Sequence, residues 1–359
     1  MAGILKGSNV ERDAADRITA TLREIPFLAT ATIRRESVRG DSRIDFVLTI
    51  RSQAIDRRIV CEVKSSGQPR SAREACLILR DYARSDNGAY PVFVAPYIAP
   101  AAAAICDQYE VGYFDLAGNC RIAFDQIYIR RDRFPNPTVQ KRDLRSLYSP
   151  KAERILRVLL TGGKRSWRMQ ELADESKVSL GQVANVKKLL ADREWIQTEA
   201  DGFRLRPYDE AALPMLTEWA ANYRAERSMP GEYYSLDPIP QAEAEIVSAS
   251  RQLNAQIAFS GFSGAARFAP AVRYQRVSAY ILGDVSALVA RLRLKPVSSG
   301  ANVTLIEPYD EGVFYGAKEI ESAPVVSPVQ LYLDLTQTKG RGEEAASAVL
   351  EEVIKTAWL

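Results

Sequence analysis

Between residues 43 and 66 the chain reads RIDFVLTIRSQAIDRRIVCEVKSS, two runs whose apolar positions recur at every second residue. That period belongs to strands, in which alternate side chains face opposite sides of a sheet. In the first run Ile44, Phe46, Leu48 and Ile50 form a core face and leave Asp45, Val47 and Thr49 on the other. In the second, Ile59, Cys61 and Val63 share one face, while Glu62 and Lys64 share the opposite one. A turn through SQAID, centred near residue 54, places Asp45 across from residues 62 to 64 in antiparallel register. Two carboxylates and an amine are therefore expected to converge.

The surrounding periodicity gives these strands their setting. Ile18 and Leu22 lie on one face of a helix before them, and SAREACLILRDYA after them repeats at helical intervals until DNG, residues 86 to 88. A short strand YPVFVAP, a helix from Pro100 to about Tyr109, the strand VGYFDL and the turn AGN complete a β-α-β rhythm, which predicts a mixed sheet covered by helices. Asp115 at the end of that last strand is read as a turn cap rather than a site residue. In residues 134 to 150, FPNPTVQKRDLRSLYSP, proline and charge replace periodicity and mark a linker. Residues 150 to 206 then run helix, helix, turn, helix, hairpin, the order of a winged helix-turn-helix. Beyond, the helices AALPMLTEWAANYRAE and GEEAASAVLEEVIKTAW accompany the strands VSAYIL, NVTLIEP and PVQLYLDL. The expected fold class is α/β and multidomain: a mixed-sheet, restriction-endonuclease-like domain over residues 1–135, a linker over 136–149, a winged helix-turn-helix over 150–207 and an α/β regulatory or assembly domain over 208–359. No apolar run reaches the ~20 residues of a membrane span, and the first residues turn polar too early for a secretory signal. A cytoplasmic protein without a membrane partner is expected.

Composition narrows the chemistry. The chain has no histidine, which excludes Ser-His-Asp and Cys-His nucleophiles and any imidazole base or zinc ligand. Its four cysteines form no Cys-x-x-Cys pair and are expected to be buried thiols. Asp45, Glu62 and Lys64 need none of these. Two carboxylates can hold Mg²⁺, and an ammonium can orient an attacking water or stabilise developing charge in phosphodiester hydrolysis. The set resembles the PD-(D/E)XK nuclease superfamily, whose metal-binding Asp and E-x-K triplet match Asp45 and Glu62-Val63-Lys64 over roughly residues 10 to 130. The resemblance implies Mg²⁺ on Asp45 and Glu62, with Asp45, Glu62, Lys64 and an acidic residue of the preceding helix as catalytic groups. Glu24 suits that last place, as does Glu11. The sequence departs from the family in having Ile44 where a proline usually precedes the Asp, and in a following helix without the Gln or Lys of many active members. A nuclease-like fold with a residual ion pair, or three solvated edge charges, is the other reading of the trio.

In the stretch Ser179 to Trp195, Val183, Val186, Leu189 and Leu190 fall on one helical face and are expected to pack on Ile155, Leu159 and Leu172. Ser179, Gln182, Asn185 and Lys188 remain outward, with Lys187 flanking them: groups suited to base edges and phosphates of a major groove. Ser179 is the expected N-cap, Asp201-Gly202 signals a hairpin, and Arg204 and Arg206 place positive charge near the wing. Residues 149–206 carry 12 Lys/Arg against 8 Asp/Glu, whereas residues 207–359 carry 13 against 19. Double-stranded DNA is the expected partner of the former; winged helices also serve as protein-binding modules, and the acidic region offers a surface for a partner protein or self-association. In FSGFSGAARF, residues 259 to 268, the small side chains suggest close packing at a helix start more than an anion site. The winged-helix pattern, the turn Ser260-Gly261-Phe262-Ser263-Gly264-Ala265-Ala266, and the later PVQLYLDL and GRGEEA segments are similar to the antitoxins of type IV, AbiE-type systems over about residues 150 to 359. That resemblance implies a DNA-binding transcriptional regulator within a toxin-antitoxin pair. The chain is thus expected to be such a regulator carrying a nuclease-like domain, the alternatives being a Mg²⁺-dependent endonuclease targeted by its winged helix and a protein-interaction scaffold.

Overall fold

The computed structural model describes residues 7–28, 30–37, 44–51, 55–85, 88–132, 134–135, 147–269 and 273–358. Most of the expected linker, 136–146, and the turn residues 52–54 lie outside the described residues. The fold is α/β, with two compact units: residues 1–141 with 191–194, and residues 142–190 with 195–359.

In the first unit, α1 (Gly7–Arg23) precedes β1 (Thr32–Ser37), β2 (Phe46–Arg51) and β3 (Asp56–Val63). Next come α2 (Pro69–Ser85), β4 (Tyr90–Ala95), α3 (Pro100–Gln108), β5 (Gly112–Asp115), β6 (Cys120–Phe124) and β7 (Ile127–Arg131). The seven strands pair in chain order. Only β3–β4 and β4–β5 are parallel, because helices α2 and α3 supply the crossovers a parallel pair needs. Strand alternation sorts the core onto both sides of the sheet. Phe46, Leu48, Ile50, Ile59 and Cys61 pack with Ala14, Ala15, Ile18 and Leu22 of α1. Val47, Val60 and Phe93 pack with Ala72, Cys76, Leu79, Ala102 and Cys106 of α2 and α3. Each fully buried aliphatic or aromatic side chain contributes roughly 1.5–3 kcal/mol, so both layers hold the sheet. Ile44 departs from its expected face: it precedes the first paired residue of β2, escapes the alternation and packs with Val47 and Val60.

The second unit begins with α4 (Pro150–Thr161), α5 (Met169–Glu175), α6 (Leu180–Asp192) and the hairpin β8 (Ile196–Glu199) with β9 (Gly202–Leu205). Trp167 adds a third rung, exchanging backbone hydrogen bonds of 2.8 and 3.0 Å with Phe203. Glu199 pairs with Gly202, so the two-residue loop is Ala200-Asp201, one position earlier than Asp201-Gly202 had suggested. Gly202 is needed for contact instead: a Cβ there would collide with the Trp167 carbonyl oxygen.

Beyond lie α7 (Leu213–Asn222), β10 (Met229–Tyr234), α8 (Ile239–Gln252), β11 (Gln256–Phe259), α9 (Gly261–Phe268), β12 (Val277–Leu282), α10 (Val285–Arg291), β13 (Lys295–Pro296) and β14 (Val303–Glu307). The chain continues through β15 (Lys318–Ile320), β16 (Ala323–Val325), α11 (Pro328–Thr336), α12 (Gly342–Ala348) and α13 (Lys355–Trp358). The sheet order is β13-β10-β14-β12-β11-β16-β15. PVQLYLDL, expected as a strand, is helix α11. Ser327 caps it by accepting from the Gln330 amide, and Pro328 occupies the first turn, where its missing N–H costs nothing. Gly264 behaves as expected, for a Cβ there would lie 3.0 Å from the Phe259 carbonyl oxygen.

Helix α4 is joined to this sheet by buried charge. Arg154 forms a two-pronged pair with Asp310 at 2.7 and 2.8 Å. Fully buried Arg157 donates to Gln330 Oε1 at 2.9 and 2.6 Å and to the Tyr309 hydroxyl at 2.9 Å, and lies over the Trp219 ring. The Tyr309 hydroxyl donates in turn to Glu153, also fully buried. Among the described residues, no helix is long and apolar enough to cross a membrane.

Candidate functional site

The β2–β3 ladder pairs Phe46 with Cys61, and the Asp45 amide donates to the Cys61 carbonyl at 3.0 Å, which sets Asp45 opposite Glu62. Asp45 Oδ2 accepts the Val63 amide at 2.6 Å. Glu62, 5% exposed, accepts the Lys64 ammonium at 2.6 Å. Burial, chiefly, raises the Glu62 carboxyl above the ordinary range; the Lys64 hydrogen bond pulls it down, and the adjacent Asp45 charge adds to the rise. The three groups therefore meet where β3 runs out, beside the carboxyl ends of β4 and β5.

That rim is fixed by backbone. The Lys64 amide donates to the Val94 carbonyl, and Gly67 bridges to Ile98. A Cβ on Gly67 would strike the Tyr97 carbonyl oxygen, so only glycine fits. Asp115 is fully buried and accepts from the amides of Ile98, Gly118 and Asn119 and from the Asn119 side chain, at 2.8–3.1 Å. Those four donors give it the role of a turn cap.

Glu24 is not brought into the trio: its carboxylate pairs with Arg131 of β7, at the far edge of the sheet. Glu11 is likewise engaged, by Arg35 at 3.1 Å. Among the described residues, no group of three or more His, Cys, Asp or Glu could hold a metal. Two carboxylates with water and substrate phosphate are nonetheless a common donor set for Mg²⁺. Asp45 and Glu62 fit it, since the hydrogen bonds to Val63 and Lys64 each engage a single oxygen.

On α6, Val183, Val186, Leu189 and Leu190 are buried, as are Ile155, Leu159 and Leu172. Ser179, Asn185 and Lys188 are exposed and Gln182 is half-buried. Ser179 Oγ accepts the Gln182 amide at 3.2 Å, the bond of an N-cap. Lys187 turns inward, its ammonium 5.0 Å from the Phe203 ring centre. Arg204 pairs with Glu199 at 2.8 Å and Arg206 with Glu210 at 3.5 Å, which reduces the net charge each offers. Lys188 has no ion pair among the described residues.

The network of Glu153, Arg157, Tyr309 and Gln330, with Asp334 and Ser260 beyond it, was not anticipated. One local signal existed: Arg157 interrupts the apolar run Ile155-Leu156-Arg157-Val158 on a buried helix face.

Residues 211–355 match the family described as "Transcriptional regulator, AbiEi antitoxin, Type IV TA system". No curated protein and no solved structure matches the chain.

Proposed function

We propose that the chain is a DNA-binding transcriptional regulator of antitoxin type whose first unit is a PD-(D/E)XK-like domain. One observation carries the reading. A helix with outward Ser179, Asn185 and Lys188 sits in the same compact unit as the region that matches the antitoxin regulators. The three helices, the hairpin and the Trp167 rung follow the order of a winged helix-turn-helix, with α6 as reading helix and the Arg204 strand in the wing. Asn185 suits a base edge, whereas Lys188 and the capped start of α6 suit phosphates. The test is fluorescence anisotropy with labelled duplex DNA at increasing salt. Saturable binding that weakens steeply with salt is expected. Absence of binding at low salt would leave the scaffold reading.

A second reading rests on the convergence of Asp45, Glu62 and Lys64. Here the first unit is a Mg²⁺-dependent endonuclease delivered by the winged helix. Asp45 and Glu62 would hold the ion, which supplies a water of lowered pKa and screens phosphate charge. Lys64 would place its ammonium against the developing negative charge. Plasmid incubated with Mg²⁺ or Mn²⁺ separates the readings: cutting lost in Glu62→Ala and Lys64→Ala establishes the enzyme, and intact plasmid in every lane leaves the regulator.

A further inference from the structure

In the second unit a cavity of about 190 Å³ is bounded by Ser260, Ser278, Pro230, Ile306 and Asp334, with Ala225 also in its wall. Asp334 Oδ1 accepts from the hydroxyls of Tyr223 and Tyr280, at 3.0 and 2.9 Å, and from the Gln330 side chain at 2.9 Å. Among the described residues its Oδ2 accepts only the Ser260 hydroxyl, at 2.5 Å, and so keeps acceptor capacity. All four donors are neutral. Among the described residues no lysine or arginine meets this carboxylate, although burial raises its pKa against the pull of those donors. A half-buried carboxylate facing a cavity is stabilised by a cation. The start of α9 at Gly261 favours the ionised form.

We propose that this cavity binds a small aliphatic ammonium. Asp334 Oδ2 supplies the counter-charge, the hydroxyl oxygens of Ser260 and Ser278 accept the remaining N–H groups, and the alkyl part rests on Pro230 and Ile306. The volume admits a short alkyl chain. The site goes beyond the DNA-binding reading and does not depend on it.

Saturation-transfer NMR on the full chain tests it, with ethylammonium chloride as probe and ethanol and sodium chloride as neutral and ionic controls. Saturable transfer to ethylammonium is expected, without transfer to ethanol and without competition by sodium chloride at matched ionic strength. Asp334→Asn should weaken binding at least ~10-fold, the scale of losing one charge-assisted contact. Ala225, in the cavity wall, makes none of the hydrogen bonds to Asp334. Ala225→Phe therefore narrows the cavity while leaving those donors in place and should abolish transfer, so the test survives a poorly folded Asp334→Asn. Absent transfer to ethylammonium, equal transfer to ethanol, or undiminished transfer in Ala225→Phe would each overturn the proposal.

Discussion

Glu62 holds a charge in a place that disfavours charge, and Lys64 offsets only part of that penalty. A carboxyl whose folded pKa is raised binds its proton more tightly in the native state. Its contribution to stability is therefore fully present below the unfolded value of 4.5 and is lost as pH rises through the folded pKa. Glu62→Gln should raise the melting temperature of the first unit at pH 7, by about 2–4 °C for each kcal/mol recovered in a unit of this size, and by less at pH 4. Circular dichroism melts at the two pH values read the difference. A melting point lowered at pH 7 would mean that the Lys64 pair outweighs the desolvation. The convergence of Asp45, Glu62 and Lys64 was legible because strand alternation and antiparallel register are local rules. The engagement of Glu24 by Arg131 was not, because the two are 107 residues apart and no period links them.

At the scale of elements, α6 and the β8–β9 hairpin present charge of unequal worth. Lys188→Ala should weaken DNA binding by roughly 2–5-fold and lower the salt slope by about 1, as expected for one lost phosphate contact. Arg204→Ala should do less, since Glu199 already neutralises that side chain. Anisotropy titrations at several salt concentrations compare them; equal effects would place the wing in the same field as the helix. Helix α4 gives a prediction of stability instead. Arg157→Ala takes both donors from Gln330 Oε1 and removes the guanidinium 3.8 Å from buried Glu153, which keeps Arg227 at 3.3 Å, and should cost about 3 kcal/mol in urea unfolding. The pattern of α6 was readable from its apolar face, whereas α11 was misread as a strand: eight residues of mixed apolar character suit either element, and Ser327-Pro328 decided for the helix.

For the whole molecule, two units with separate cores imply separate cooperative melting. Calorimetry should resolve two transitions, with Leu22→Ala lowering only one and Trp219→Ala only the other, both side chains being fully buried in their own unit. A single transition moved by both substitutions would refute the division. The fold class followed from alternating periodicities along the chain. What no periodicity could supply were the long-range polar links, such as Ser260 to Asp334 and Arg157 to Gln330, which exist only once the sheet has assembled.

Asp115 fastens the mouth beside Glu62 with main-chain amides and one carboxamide rather than with mobile ionic side chains. Salt that weakens the DNA binding proposed for α6 should leave this rim unaltered, because buried dipolar links are screened far less than exposed ions. Ionic strength should thus act on exposed ion pairs while sparing the architecture around the trio.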